Sequence, residues 1–225
     1  MTNISRKTIR SIALPAEHGG WSLWLEPVLL AMLVAASGTG VALVLLSFVS
    51  FLMRQPLKIA LLDLRKKKLY LRTRLGIAFV ALYGLIALLS LLATLSGGGL
   101  PVILPLIPAY AVAIVQVWLF DIRGNSRHWM PEVIGVVVMS AFSISIALAG
   151  SWSIELALAL AVIIVARGIP TIFYVRARLR QIKSGNVTTN AQTAFMLHGV
   201  AIIVAIILRL LNLAPTLTII AMIIL

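Results

Sequence analysis

Residues 15–27 read Pro-Ala-Glu-His-Gly-Gly-Trp-Ser-Leu-Trp-Leu-Glu-Pro, placing Glu17, His18, Trp21, Trp24 and Glu26 at the threshold of an apolar run. A similar set returns at His128, Trp129 and Glu132. Glu17, His18, His128 and Glu132 are candidate acids or bases, because imidazole and carboxyl groups exchange protons readily when positioned against a reacting group. Arg54, Lys58 and Arg167 interrupt apolar stretches. Guanidinium forks and an ammonium suit a phosphate or carboxylate. Arg54 and Lys58 are four residues apart and so share a helix face. Trp21, Glu26, Tyr174 and His198 complete the candidate ligand-binding set. Imidazole is also a common metal ligand, but no histidine here has a partner at recognisable ligand spacing, so no metal and no cofactor is assigned. With no cysteine in the chain, disulfides and thiolate sites are excluded.

Charged groups beside lipid are costly and therefore usually purposeful. That the surroundings are lipid follows from composition. Of 225 residues, 61% are hydrophobic and 11% charged, and the mean hydropathy is +1.10. A soluble domain is about half apolar and about a quarter charged. The chain therefore reads as one polytopic, all-α integral membrane domain over residues 1–225. The first apolar stretch carries Glu26 and lacks a small-residue cleavage pattern, which argues against a cleavable signal peptide. The net charge of +13 is assigned to loops facing anionic lipid headgroups rather than to nucleic acid.

The elements that must position these residues follow in order. A basic arm with Arg6, Lys7 and Arg10 reads as an interfacial helix. Apolar segments then run from about Trp21 to Ala36, Val41 to Leu62, Leu75 to Leu95, Leu100 to Phe120, Glu132 to Ala149, Ser153 to Tyr174, Gln192 to Leu211 and Thr216 to Leu225. Pro101, Pro105 and Pro108 make the first turns of the fourth irregular. Ser96-Gly97-Gly98-Gly99 reads as a flexible turn, and residues 176–190 as a basic loop. The last segment is short for a span, which needs about 20 residues. Alternate loops are basic: 63–74, 121–131 and 176–190, together with the N-terminal arm. The positive-inside rule then gives eight spans with both termini in the cytoplasm.

The chain also reads as two parallel halves of four spans, about 15–120 and 128–225. His18, Trp21 and Glu26 match His128, Trp129 and Glu132; Arg54-Gln55-Pro56 matches Arg167-Gly168-Ile169-Pro170. At 1.5 Å per residue, Arg54 and Arg167 sit about 12 Å inside the cytoplasmic boundary. Pro56 and Pro170 free the carbonyls of Leu52 and Ala166, which need partners in lipid. This polar chemistry converges on one expected cavity, open to the cytoplasm between the halves. The structural alternative for the same charges is one ion pair per half, Glu26 with Arg54 and Glu132 with Arg167. For the tryptophans the plainer role is anchoring at the membrane interface.

The Pro-Ala-Glu-His-Gly-Gly-Trp opening, the Arg-Gln-Pro-Leu of residues 54–57 and the Tyr-Val-Arg-Ala-Arg-Leu-Arg of residues 174–180 resemble the YwiC-like family of bacterial membrane proteins. That resemblance implies a bacterial cytoplasmic membrane and supplies no mechanism. More distantly, the layout resembles the UbiA-type intramembrane prenyltransferases, which implies two four-helix halves around a cytoplasm-facing cavity. Their aspartate-rich, magnesium-holding motifs have no counterpart here: segment two carries Arg54, Gln55 and Lys58, and segment six carries Arg167 and no aspartate.

Three functions are consistent with this pattern. The first is binding, or transport, of an amphipathic anion, isoprenoid- or quinone-like, with its head on Arg54, Lys58 and Arg167. The second is a prenyltransferase-like, lipid-modifying enzyme using Glu17, His18, His128 and Glu132. The third is a non-catalytic subunit of a membrane complex. Membrane lipids and an amphipathic small molecule are the expected partners, and nucleic acid is not.

Overall fold

A computed structural model describes residues 6–15, 18–123, 128–184 and 189–224, without the side chains of residues 18, 183, 184, 189 and 190. Its described elements are helices: α1 (Arg6–Ala13), α2 (His18–Val34), α3 (Gly38–Arg65), α4 (Leu71–Ile103), α5 (Leu106–Gln116), α6 (Met130–Ala149), α7 (Ile154–Ser184), α8 (Thr189–Leu210) and α9 (Thr216–Ile224). Helix α5 continues into a wider π-helical turn at Val117–Asp121. Five helices, α3, α4, α6, α7 and α8, are long and apolar enough to cross a bilayer, and α2 and α5 are shorter apolar helices. The chain is a multi-pass helical membrane protein.

Helix α6 is the hub. It packs against α2, α3, α4, α5 and α7. Its Phe142 and Ile146 are buried with Val28 and Ala31 of α2, Leu43 of α3 and Leu106 of α5. The most extensive pair is α3 with α4, followed by α7 with α8, and α9 lies against α8. Helix α1 rests on α3 and α4, burying Ile12 and Ala13 while Arg6, Lys7 and Arg10 stay exposed. Tyr83 of α4 fixes it by donating to the Ala13 carbonyl at 3.2 Å.

Helix ends must satisfy their own carbonyls wherever water is scarce. Helices α3, α6 and α8 do so in one way, with a left-handed residue just past the end: Lys67 (φ 52°), Ser151 (φ 65°) and Asn212 (φ 59°). The next amide in each case reaches back to close the end: Lys68 to Asp63, Trp152 to Ala147 and Leu213 to Leu208. Ser37 caps the start of α3 by accepting from the Gly40 amide at 2.9 Å.

Three sequence expectations are corrected. Residues 96–98 are not a flexible turn; α4 runs through them, and the chain re-aims only at Gly99, where φ is +70°. A Cβ on Gly97 would lie 2.4 Å from the Thr39 hydroxyl oxygen, so the glycines let α3 and α4 approach closely. The basic residues 176, 178 and 180 are not in a loop, because α7 continues to Ser184. Third, α3 starts at Gly38, inside the expected turn over residues 37–40. The irregularity expected from the prolines is present: helix α4 stops at Ile103, and Pro105 stands at the start of α5.

Candidate functional site

A polar stripe runs along α3. Ser47, Ser50, Arg54 and Lys58 recur at helical spacing. The Ser47 hydroxyl accepts from the Trp24 indole N–H at 3.0 Å. Ser50 donates to the Leu46 carbonyl at 2.7 Å, which leaves the Tyr110 hydroxyl as donor in the 2.6 Å Ser50–Tyr110 contact. One turn on, Arg54 grips Asp121 with a fork: Nε to Oδ2 at 3.1 Å and Nη2 to Oδ1 at 3.2 Å. The Asp121 side chain is 1% exposed and that of Arg54 39%. Asp121 closes the π-helical turn of α5, so this local widening delivers an acid into the bundle. Gln116, one turn earlier, donates to the Pro131 carbonyl at 3.2 Å and ties the same turn to α6.

The other charges pair differently from the sequence expectation. Glu26 meets Arg167, joining α2 to α7, and not Arg54. Glu132 meets Arg176 through two bonds of 2.8 and 2.9 Å, and not Arg167. The reason is geometric. Helix α2 packs against α7 through a face carrying Glu26, while its Trp21 and Trp24 face Phe48 and Phe51 of α3. In both pairs the acid remains open, with Glu26 44% and Glu132 40% exposed. A fourth pair closes the α3–α4 turn: Arg72 forks onto Asp63 at 2.6 and 2.8 Å, and Thr73 adds a hydroxyl at 2.8 Å.

Of the candidate residues, the structure brings Glu26 to Arg167, and it sets His128 beside Trp129, which is outside the candidate set. It gives Arg54 and Glu132 partners outside the candidate set. His128 stacks on Phe120 and Trp129, with ring centroids 5.9 and 5.4 Å apart. Its Nδ1 accepts from the Met130 amide at 3.3 Å, which leaves Nε2 to carry the proton of the neutral ring. Trp21 lies edge-on to Phe51 at 5.2 Å, a helix-packing role. Lys58 is half-buried on α3, Tyr174 is exposed on α7 and His198 is half-buried on α8. Glu17 and the His18 side chain lie outside the described residues. Among those described, no three His, Asp or Glu side chains gather around one point as metal ligands would.

Sequence reading missed Asp121, Asp63, Arg176 and the Ser50–Tyr110 pair. One signal could have found the acids. The chain has only six Asp and Glu against 19 Lys and Arg, so an acid near the basic end will find an arginine wherever it lies. A cavity of about 450 Å³ lies between α6, α7 and α8, lined by Val137, Val165, Ala166, Ile169, Pro170 and Ala201 among others. None of the candidate cations lines it.

These features define a class: an apolar helical membrane bundle whose basic end is laced by arginine–carboxylate pairs. A family model described as YwiC-like protein matches residues 14–147, and the chain belongs to that family. The match takes in Glu26, Arg54, Asp121 and Glu132 and stops before α7. No curated protein and no solved structure matches the chain.

Proposed function

We propose that the protein binds an amphipathic anion at the cytoplasmic end of its bundle, with the phosphate or carboxylate head on Arg167. Arg54 and Lys58 add to the positive field there, and an isoprenoid- or quinone-like tail lies among the helices. The observation that carries this reading is the Glu26–Arg167 pair. Glu26 is a carboxylate already seated on the guanidinium, and it is 44% exposed. An exposed acid is displaced at small cost, because water solvates it once it is released. Arg54 is less available, since its acid is buried and displacing it would strand a charge.

The same reading includes the finer topology. The shorter apolar helices α2 and α5 join the five long ones as membrane passes, and α9, nine residues long, begins the eighth. The halves about 15–120 and 128–225 are parallel repeats, and both termini face the cytoplasm of a bacterial cell. The alternating basic segments support that orientation. Among the described residues of the enzymatic alternative, Glu132 is engaged by Arg176.

The test is titration of the full-length protein in mild detergent with farnesyl phosphate, read by native mass spectrometry and thermal shift. Wild type is expected to bind, and Arg167→Ala to lose binding. Glu26→Gln removes the internal competitor and is expected to tighten binding about two- to fivefold, the equivalent of an exposed pair. Binding that ignores both substitutions would sink the proposal. An empty protein that co-purifies with other polypeptides would favour the subunit reading.

A further inference from the structure

The cavity between α6, α7 and α8 is separate from the Arg167 site. Arg167 faces Glu26 of α2, whereas Val165, Ala166 and Ile169 of the same helix face the cavity. Its rim residues Leu158, Val162 and Val200 are exposed on the apolar flank of the bundle. Ala161, Ala166 and Ala201 make the depression by being small. Its one hydroxyl, on Ser140, is already donated to the Val137 carbonyl at 2.7 Å. Such a surface takes a hydrocarbon chain and offers nothing to a polar solute.

What stands at the end of the groove decides the occupant. Helical periodicity carries the groove face of α7 from Val165 and Ile169 on to Phe173, Arg176 and Arg180. Arg176 lies six residues beyond Pro170, about 9 Å along the axis, and Arg180 is exposed one turn further. Arg176 is held against Glu132, which is 40% exposed. An apolar slot with two arginines about 9 and 15 Å beyond its Pro170 edge, on the same face of α7, matches an anionic lipid.

We propose that this groove is a binding site for one anionic phospholipid, with an acyl chain between α6, α7 and α8 and the phosphate at Arg176 and Arg180. This site does not rest on the Arg167 reading. The experiment is native mass spectrometry of the full-length protein titrated with phosphatidylglycerol and, separately, with phosphatidylcholine of the same chains. Wild type is expected to hold one phosphatidylglycerol with about five- to thirtyfold preference, the weight of one or two basic residues at a membrane surface. Arg176→Gln with Arg180→Gln removes the preference. Val165→Trp fills the slot and releases the lipid, while Leu88→Trp on the exposed face of α4 does not. Val162→Trp at the open rim serves the same purpose should Val165→Trp unfold. Arg167→Ala leaves this lipid in place, whatever it does to farnesyl phosphate. Equal retention of both lipids, retention in the slot-filling variants at the Leu88→Trp level, or loss on Arg167→Ala would each overturn the proposal.

Discussion

The two ends of the bundle are held by different forces. At the basic end, Glu26–Arg167, Arg54–Asp121, Glu132–Arg176 and Asp63–Arg72 bridge one helix to the next. At the opposite end, close approach does that work. A Cβ on Gly150 would lie 2.6 Å from the Ala35 carbonyl oxygen, and one on Gly40 would lie 2.9 Å from the Met32 sulfur. Steric contacts of this kind cannot be exchanged for a ligand, whereas ion pairs can. The difference locates any responsive chemistry at the basic end. There a second division follows from burial: Asp121 and Asp63 are sealed, at 1% and 2% exposure, while Glu26 and Glu132 are open. Sealed pairs fix the fold, and open pairs are the ones that can be traded.

The comparison is broken most severely at Arg54. Arg54→Ala leaves the Asp121 carboxylate in the bundle without its fork, which is expected to cost about 3–5 kcal/mol, as for a buried pair that loses one member. Reversible unfolding in mixed micelles measures it. Replacing Arg54 and Asp121 together by leucine should recover most of the loss. Recovery would show that the pair matters for compatibility rather than for attraction. Arg72→Ala is expected to cost less, about 1.5–3 kcal/mol, because Thr73 continues to hold Asp63. A loss at Arg72 equal to that at Arg54 would contradict the importance given to the remaining hydroxyl.

At the other end, Gly150→Ala drives a methyl into the Ala35 carbonyl. Backbone cannot rotate aside as a side chain can, so α2 and α6 must separate. The expected cost is about 1–3 kcal/mol, typical of overpacking. It should be independent of salt, which separates this end from the exposed pairs at the basic end.

The sequence made some of this legible and hid the rest for identifiable reasons. Apolar runs and basic segments follow from local composition, so the main helices and the breaks at residues 150–152 and 212–215 were readable, whereas the break expected at residues 96–99 falls at 104–105. Partner choice was not, because it depends on how one helix is rotated against another. Glu26 and Arg54 sit in adjacent segments, yet α2 turns its tryptophans toward α3 and its acid toward α7. Asp121 looked like a loop residue because nothing in Val-Trp-Leu-Phe-Asp announces a π-helical turn. The glycines at 97 and 98 read as a hinge, although their use is to let Thr39 come close.

The smallest effect sharpens the comparison most, because it separates a pair that holds the fold from a pair that waits for a ligand. Glu132→Gln removes the open acid from Arg176 while keeping the shape of the side chain. Arg176 keeps the polar surroundings of the α7 end, and Glu132 was already 40% exposed. The stability change is therefore expected to stay below about 1 kcal/mol. The same substitution takes one carboxylate away from the Arg176 guanidinium, beyond the α6–α7–α8 groove on α7, so phosphatidylglycerol should bind more tightly, by about two- to fivefold on the same energy scale. A large loss of stability would move Glu132–Arg176 into the class of Arg54–Asp121 and remove its claim to be exchangeable. Small destabilisation with tighter lipid binding would mean that, at this end of the bundle, the exposure of the acid decides which arginine is open to an anion.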